Sequence, residues 1–345
     1  MNRSQKKTLF LLAAVVVLLV AALLVIRAVK QSAQEAAAEE AAAQEETGAV
    51  TAADAAYTAL SYDNGSTTLS FRLDEAGNWI WADDPEFPLD DSTVQGILAL
   101  LTDLRPQQTI TEGDTLEAYG LDQPFATLTA TRPDGGTLTV ALGNTTTDGD
   151  SYYMLLDGQE SPVYIISDSL YSYMSETIYD MCRLPELPAL AEERIQTITV
   201  KGAVSTLLRP EDRETETDPD TGEETVTVTW STGGEDVTGN ADTASLLAEV
   251  EALRFTKCVD YKPSDEAASI CGFDAPRAEL SVYYETETGT EGSVKLTFGG
   301  ASLDEDGCYV RMEGDPTIYQ MDAAAVDTIL AVAESGLSVS GGAAE

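Results

Sequence analysis

Residues 119–164 read YGLDQPFATLTATRPDGGTLTVALGNTTTDGDSYYMLLDGQESPVY, and a diverged copy of this pattern occupies residues 271–319. The spacing from Gly143 to Tyr153 equals that from Gly299 to Tyr309. The matched positions are Gly120, Asp122, Pro124, Gly143, Tyr153 and Tyr164 in the first copy, and Gly272, Asp274, Pro276, Gly299, Tyr309 and Tyr319 in the second. Changes in length fall between predicted strands, where insertions are tolerated. The sequence therefore predicts two units with one shared fold.

The residue types of this repeat favour a turn followed by an antiparallel meander. Gly120 and Gly272 suit a turn that needs a positive φ, and the aspartate and proline that follow favour an Asx turn with an extended exit. Apolar and polar residues then alternate through residues 126–142 around an Asp-Gly-Gly turn, which is typical of a hairpin. Each copy predicts four strands and then a helix. The trailing helices are predicted over residues 168–179 and 322–334.

An amphipathic helix precedes the repeat in each copy. Residues 90–104 and 242–253 both carry apolar side chains in a stripe along one helical face. Short strands are predicted ahead of these helices, through residues 57–81 and from Ile195 onward. The predicted fold class is α+β, with an N-terminal transmembrane helix followed by two tandem β-rich repeats. Each repeat is expected to be an antiparallel meander sheet with one or two covering helices.

The N-terminus predicts a membrane anchor. Residues 9–26 contain no charged or polar side chain, which comes close to the roughly 20 residues that cross a bilayer core. A cleaved signal peptide has a shorter apolar core of about 7 to 15 residues. Basic residues precede the apolar run and acidic residues follow it, so the positive-inside rule keeps the N-terminus in the cytoplasm. We therefore expect a single-pass membrane protein whose bulk is extracytoplasmic.

The predicted domain boundaries follow from these segments. Residues 31–56 are rich in alanine and glutamate and predict a stalk, for which a coiled coil is the alternative interpretation. The full set is a cytoplasmic N-terminus and anchor at 1–30, the stalk at 31–56, repeat units at 57–185 and 186–335, and a disordered tail at 336–345.

The net charge of −41 is distributed unevenly along the chain. The first thirty residues carry five of the 19 basic residues and no acidic one, so the remainder carries 60 acidic residues against 14 basic ones. Such a surface is repelled by phosphates, which excludes nucleic acid as an expected partner. A solvated exterior and a specific acidic binding face both remain open.

Two tryptophans are the candidate ligand-stacking residues. Trp79 and Trp81 lie two positions apart and therefore on one face of a predicted strand. Such a pair could stack on a sugar, or it could supply apolar area to the core.

The sequence offers little for catalysis. It contains no histidine, which excludes Ser-His-Asp and Cys-His catalysis and histidine-ligated zinc. It also lacks the nucleophile-elbow, Walker and dinucleotide-binding motifs. A glycosidase needs two positioned carboxylates, and Asp83 or Asp84 beside Trp81 would be the candidates. We expect a protein that is not an enzyme and that needs no cofactor.

Acidic loops raise the question of calcium. Residues 304–307 and 148–150 supply oxygen ligands of the kind that Ca²⁺ prefers, but neither matches the complete twelve-residue loop. Aspartate and glycine also dominate ordinary hairpin turns, so no metal site is assigned.

Two cysteines of the second copy occupy the positions of two tyrosines in the first copy. Cys271 and Cys308 stand where the first copy has Tyr119 and Tyr152. If those tyrosines pack together, the cysteines are expected to be neighbours and could form a disulfide outside the membrane. Free thiols in an apolar environment are the alternative.

The segment at 79–88, the motif at 119–124 and the strands at 143–164 together resemble the bacterial family known as domain of unknown function 4340. The resemblance covers about residues 57–335, and Cys271 in place of Tyr119 departs from the motif. It implies a single-pass extracytoplasmic repeat protein, and some such proteins are associated with ABC-transporter components. The leading interpretation is therefore an accessory or scaffold subunit of an envelope ABC-transporter system, with permease components as partners. The alternative is a cell-surface polysaccharide-binding module, and a carboxylate-based glycosidase is third.

Overall fold

The computed structural model describes residues 48–52, 55–219, 221–222, 224–303 and 305–338. These residues belong to two compact units. The first unit ends at Glu176 and omits residues 84–90, which belong with residues 177 onward in the second unit. The described part of the chain holds no helix long and apolar enough to cross a membrane. The predicted anchor, and most of the predicted stalk and tail, lie outside the described residues.

The first unit contains one eight-stranded sheet in the order β3-β2-β1-β5-β6-β7-β8-β4, with antiparallel neighbours throughout. Among the described residues two helices accompany it, α1 at Ser92–Thr102 and α2 at Ser169–Met174. The strands are β1 Ala59–Asp63, β2 Thr68–Leu73, β3 Trp79–Trp81, β4 Gln108–Ile110, β5 Ala126–Thr131, β6 Thr137–Thr145, β7 Ser151–Leu156 and β8 Val163–Ser167.

The second unit contains one nine-stranded antiparallel sheet in the order β12-β11-β10-β9-β14-β15-β16-β17-β13. Its helices are α3 Ala241–Ala252, α4 Asp265–Ile270 and α5 Asp327–Ser335, with 3-10 turns at Glu192–Arg194 and Ala323–Ala325. The strands are β9 Ile195–Lys201, β10 Ser205–Thr217, β11 Glu224–Thr232, β12 Glu235–Asp236, β13 Lys257–Asp260, β14 Ala278–Glu285, β15 Glu291–Ala301, β16 Gly307–Met312 and β17 Ile318–Asp322.

The two sheets have the same topology. Replacing β1, β2 and β3 with β9, β10 and β11, and the meander β5 to β8 with β14 to β17, converts one strand order into the other. The last edge strand, β4 or β13, comes earlier in the chain than the meander and pairs with its final strand. The only added strand in the described second sheet is β12 at the opposite edge. The prediction of an internal repeat with antiparallel meanders is confirmed.

The core of each unit follows the alternation of its strands. Leu128, Val140, Leu142 and Met154 are buried in the first sheet, and the second sheet buries Leu280, Leu296, Phe298 and Val310 at the matching positions. Helix α1 contributes a buried stripe, and it packs against α2 as α3 packs against α5. Each fully buried side chain of this size contributes about 1.5–3 kcal/mol relative to exposure.

Three of the four predicted helices are shorter than predicted, whereas α3 has its predicted length with a shift of one residue. Helix α1 begins at Ser92 rather than residue 90, and α2 ends at Met174 rather than residue 179. The residues after Glu176 leave the first unit and join the second, so tertiary contacts override the local helical preference there. Neither Asp168 nor Asp322 makes the expected side-chain cap hydrogen bond.

Candidate functional site

Each unit places the same turn before its meander. The amide of Gly120 donates to the Glu117 carbonyl (3.1 Å) and that of Leu121 to the Leu116 carbonyl (2.8 Å). In the second unit the amides of residues 272 and 273 donate to carbonyls three and five positions earlier, in the same way. This pair of hydrogen bonds around a left-handed glycine is the Schellman motif. Both glycines have positive φ, at 69° and 83°. The predicted conformation of Gly120 and Gly272 is confirmed.

The other positions that match between the two copies of the motif lie at the surface. Asp122 is exposed and Pro124 is half-buried just ahead of β5, and Pro276 is half-buried ahead of β14. Asp274 is exposed and accepts a hydrogen bond from the Ser269 hydroxyl, which ties the turn to the end of α4.

The turn is hydrogen-bonded to a β-bulge opposite one tyrosine of the repeat, Tyr153 in the first unit and Tyr309 in the second. Two residues, Gly143 and its successor, oppose the single Tyr153 of β7, and the same arrangement sets Gly299 and its successor against Tyr309 of β16. The amide after each glycine donates to the carbonyl of residue 119 or 271, at 2.7 and 2.8 Å. A Cβ on either glycine would lie 2.2 Å from that carbonyl oxygen, so a close backbone approach explains both glycines.

An outer-face cluster forms where this turn meets the sheet. In the first unit the rings of Tyr119 and Tyr153 lie 4.6 Å apart between centroids, beside buried Leu121 and Leu155. In the second unit Cys271 packs against Tyr309 and Ile318, with Phe273 at the periphery. Tyr153 and Tyr309 therefore have the same role in both units, which is to bind the turn to the sheet.

The first unit has a cavity of about 600 Å³ beside Tyr153. Its walls come from edge strand β4, from β7 and β8, and from the turn between β6 and β7. The lining is mostly amide and hydroxyl groups: Gln107, Gln108, Thr146, Thr147, Asp148, Ser151, Tyr153 and Ile165.

The second unit has a cavity of about 350 Å³ at the matching place beside Tyr309. Edge strand β13, β16, β17 and the turn between β15 and β16 form its walls, and residues 177–180 add one more. Leu303 stands at its rim with 93% of its surface exposed. The lining residues are Thr177, Tyr179, Asp180, Lys257, Cys258, Val259, Ser302, Leu303, Tyr309 and Gln320.

Both cavities suit binding of polar groups beside an aromatic ring. Burial raises the pKa of Tyr179, and the Asp260 carboxylate that accepts its hydrogen bond raises it further. The phenol therefore remains a hydrogen-bond donor at neutral pH. Lys257 and Asp180 give the second cavity both signs of charge, whereas Asp148 is the charged group of the first.

The tryptophan pair proposed for ligand stacking is mostly enclosed. Trp79 pairs with Leu73 and Trp81 with Phe71 across β2 and β3, so both rings are on one face of the sheet as expected. Trp79 is 7% exposed and Trp81 is half-buried. This placement matches the core interpretation of Trp79 rather than an open stacking platform.

The carboxylates proposed for a glycosidase are in different environments. Asp84 forms an ion pair with Lys262 at 2.8 Å, while Asp83 is exposed. The Lys262 ammonium holds the pKa of Asp84 below its usual range. A glycosidase acid needs a raised pKa, so Asp84 does not have the electrostatics of a proton donor.

The loops considered for calcium close ordinary turns where they are described. Asp148 accepts hydrogen bonds from the Thr146 hydroxyl and the Asp150 amide, and these bonds lower its pKa. Asp304 lies outside the described residues. Among the residues that are described, no group of three or more potential metal ligands comes together.

The structure does not bring Cys271 and Cys308 together. Cys271 contacts Tyr309, and Cys308 precedes Tyr309 in β16, so it points to the opposite face. All four cysteines are free and buried. Cys182 and Cys258 are the pair whose thiols lie close enough for each to shift the other's pKa.

Sequence reasoning singled out the repeat tyrosines but missed both cavities. The cavity walls include Gln108 and Lys257, which lie on edge strands of three and four residues that are too short to show alternation. Their registers are equivalent, because Gln108 pairs with Ile165 and Lys257 with Gln320. Aligning the segments ahead of the two copies could have indicated this edge.

Comparison with known proteins identifies the repeat. A family model described as a domain of unknown function (DUF4340) matches residues 79–232 and again residues 230–335. No curated protein and no solved structure matches the chain.

Proposed function

Since the chain belongs to the family described as a domain of unknown function (DUF4340), we propose that its two copies form a binding protein without catalytic chemistry. In this proposal it is an accessory or scaffold subunit of an envelope ABC-transporter system. The transporter assignment rests on the family resemblance of the sequence. Residues 9–26 would anchor the chain in the membrane, with the two units on the extracytoplasmic side.

The observation that carries a binding role is the cavity that both units place beside the repeat tyrosine. The cavity recurs at the same edge of two diverged sheets, and its walls consist of different residues. We expect this pattern of two related binding surfaces with different ligands. The second cavity also presents Leu303, an apolar side chain with 93% of its surface exposed. Exposed apolar groups with a polar surround are common at protein interaction sites.

The partner surface can be tested by photocrosslinking in cells. A photoreactive amino acid in place of Leu303 should form an adduct with an ABC permease subunit, identified by mass spectrometry of the membrane fraction. The matched control is the same substitution at Leu207, an exposed leucine on β10 with 47% exposure. Permease adducts of equal yield at both positions, or none at Leu303, would contradict the proposal.

The membrane topology has a separate test. Protease added to intact protoplasts should digest residues 57–345, because the positive charges ahead of the apolar run hold the N-terminus inside. Protection of both units would contradict the extracytoplasmic location.

Polysaccharide binding is the second candidate, and the first cavity is the observation that favours it. Its amides, hydroxyls and tyrosine ring are the groups that bind sugars through hydrogen bonds and stacking. Gln108→Ala should reduce retention of envelope polysaccharide on the immobilised protein, while the exposed Gln123→Ala should not. Equal retention by both variants would leave the scaffold role as the better explanation.

A further inference from the structure

Two segments of the second unit form a strap, which we define as residues 84–90 and 177–183. They pair with each other through an isolated β-bridge between Leu89 and Cys182. On either side of this bridge the Asp90 amide donates to the Met181 carbonyl (2.8 Å), and the amide of residue 183 donates to the carbonyl of residue 88 (2.7 Å). The strap thus has a defined backbone register at Cys182.

The strap is fastened along edge strand β13 and the turn that follows it. The Tyr179 hydroxyl lies 3.3 Å from the Asp260 carboxylate. The Tyr261 hydroxyl donates to the Glu86 carbonyl (3.0 Å), and its ring meets Phe87 edge to face at 5.1 Å. These contacts hold both segments of the strap against the strand that carries Cys258.

Cys182 and Cys258 meet within this arrangement. Cys182 is 6% exposed and Cys258 is 1% exposed. Cys258 lies beside Tyr179 and Asp180 of the strap in the wall of one cavity, and the two thiols are close enough for each to shift the other's pKa. Cys258 pairs with Tyr319 in the sheet and also lines the cavity of about 350 Å³ beside Tyr309. The pair is therefore buried, and Cys258 borders the cavity.

The environment distinguishes the two thiols. The neighbouring Cys258 thiol lowers the pKa of Cys182, because it stabilises the thiolate. The neighbouring Cys182 thiol, together with burial, raises the pKa of Cys258, and the Asp260 and Asp315 carboxylates nearby add to the rise. Cys182 is thus the better nucleophile of the pair.

We propose that Cys182 and Cys258 form a disulfide that fastens the strap to β13. The oxidant is an exchangeable disulfide, either a small-molecule one or that of a thiol oxidoreductase. The Cys182 thiolate attacks one sulfur of that disulfide and releases one thiol, which leaves a mixed disulfide. The Cys258 thiolate then attacks the Cys182 sulfur, releases the second thiol and completes the bond. Two protein thiols are oxidised and one disulfide is reduced to two thiols.

The chemistry does not depend on the proposed transporter role, although its occurrence in the cell requires the oxidising compartment outside the membrane. It differs from the pairing expected from the repeat, because Cys271 and Cys308 point to opposite faces of the sheet. A 182–258 disulfide would join two segments that are distant in sequence, whereas the motif cysteines would remain thiols.

Disulfide mapping of the purified full-length chain tests the proposal. The reduced protein is treated with oxidised glutathione, remaining thiols are alkylated, and linked peptides are identified. Cys258 and Cys271 lie on one tryptic peptide, residues 258–277, so a second cleavage at Asp265 or Glu266 is needed to separate them. We expect a link between residues 182 and 258, with Cys271 and Cys308 alkylated.

Cysteine variants test whether the disulfide joins residues 182 and 258. The double variant Cys271→Ala/Cys308→Ala should retain the link, and Cys182→Ala should lose it. Oxidation should also slow amide hydrogen exchange in residues 84–90 of the wild type but not of Cys182→Ala, and a reductant should reverse the change. If burial prevents reaction of the native protein, refolding from denaturant in a glutathione buffer gives the thiols access. A dominant link between Cys271 and Cys308, glutathione adducts alone, or no link after refolding would overturn the proposal.

Discussion

The two units share a backbone design but differ in the side chains that hold it together. Both have the Schellman turn, the glycine bulge opposite Tyr153 or Tyr309, and the same strand order. In the outer-face cluster, however, Tyr119, Leu121 and Leu155 of the first unit correspond to Cys271, Phe273 and Arg311 of the second.

This difference separates what the fold requires from what it tolerates. The glycines are required because a backbone oxygen occupies the space where a side chain would lie. The cluster residues can change if their neighbours change with them. Arg311 is accommodated because its guanidinium carbon lies 4.4 Å from the centroid of the Phe273 ring, which replaces the leucine of the first unit.

The largest expected effect comes from the bulge glycines. Gly143→Ala and Gly299→Ala should each lower the free energy of unfolding by about 3 kcal/mol, because the new methyl group would force the turn carbonyl away from the sheet. Hydrogen exchange followed by mass spectrometry can assign the loss to one unit in each variant.

Gly239→Ala is the matched control for the bulge variants, because it places the methyl group where no atom lies within 4 Å. It should change stability by less than about 0.5 kcal/mol. If Gly143→Ala is as mild as this control, the backbone contact is not what the two units have in common.

Exchanging the residues of the outer-face cluster between the units should lower the free energy of unfolding less, and by different amounts in the two units. Leu155→Arg should destabilise the first unit by about 2 kcal/mol, because it buries a charge at a site that is 6% exposed and has Leu121 where the second unit has the Phe273 ring. Arg311→Leu should change the second unit by no more than about 1 kcal/mol, since leucine fits the same face in the first unit. Urea unfolding of each variant measures the difference. Equal losses would show that the ring is not what accommodates Arg311.

The smallest expected effect is on amide exchange in the strap, which belongs to the second unit. The pKa of Asp84 is lowered from 3.8 by its bond to Lys262, so the pair contributes stability above pH 3.8 and loses it as the pH falls through the lowered value. The pKa of Lys262 is raised, so its contribution is complete below pH 10.5 and is lost only at more alkaline pH. Exchange in residues 84–90 should be faster in Lys262→Met than in the wild type at pH 7, and the difference should shrink in acid. Equal rates at pH 7 would remove the ion pair as a strap contact.

Most of the fold could be predicted from local patterns. Alternation revealed the meander strands, the apolar stripe revealed α1 and α3, and the positive-φ glycines revealed the turns. Strands β4 and β13 could not be predicted, because residues such as 108–110 read Gln-Thr-Ile with no periodicity. Their place at the sheet edge is set by pairing with Tyr164 or Tyr319, which is a contact between distant segments.

The candidate site could be predicted only in part. The repeat correctly aligned Cys308 with Tyr152, but the partner of Tyr119 is Tyr153, one residue further along and on the other face of the strand. Tyr152 instead contacts Tyr171 of α2. A shift of one position reverses the face in a strand, so equivalence in sequence did not give adjacency in space. The interaction of Cys182 with Cys258 depends on the strap, which no local pattern indicates.

The long hairpin of β10 and β11 has a consequence for how copies of the chain meet at high concentration. Acidic residues of β10 face threonines of β11, as in the pairs Asp212 with Thr229, Glu214 with Thr227 and Glu216 with Thr225. The negative groups of these pairs are therefore on one strand, and like charges are not directly opposed across the ribbon. An exposed strand edge is a template for further strands, but a second acidic ribbon would be repelled before it could pair. The hairpin thus acts as a barrier to edge-to-edge aggregation, and this protection should weaken as added salt screens the carboxylates.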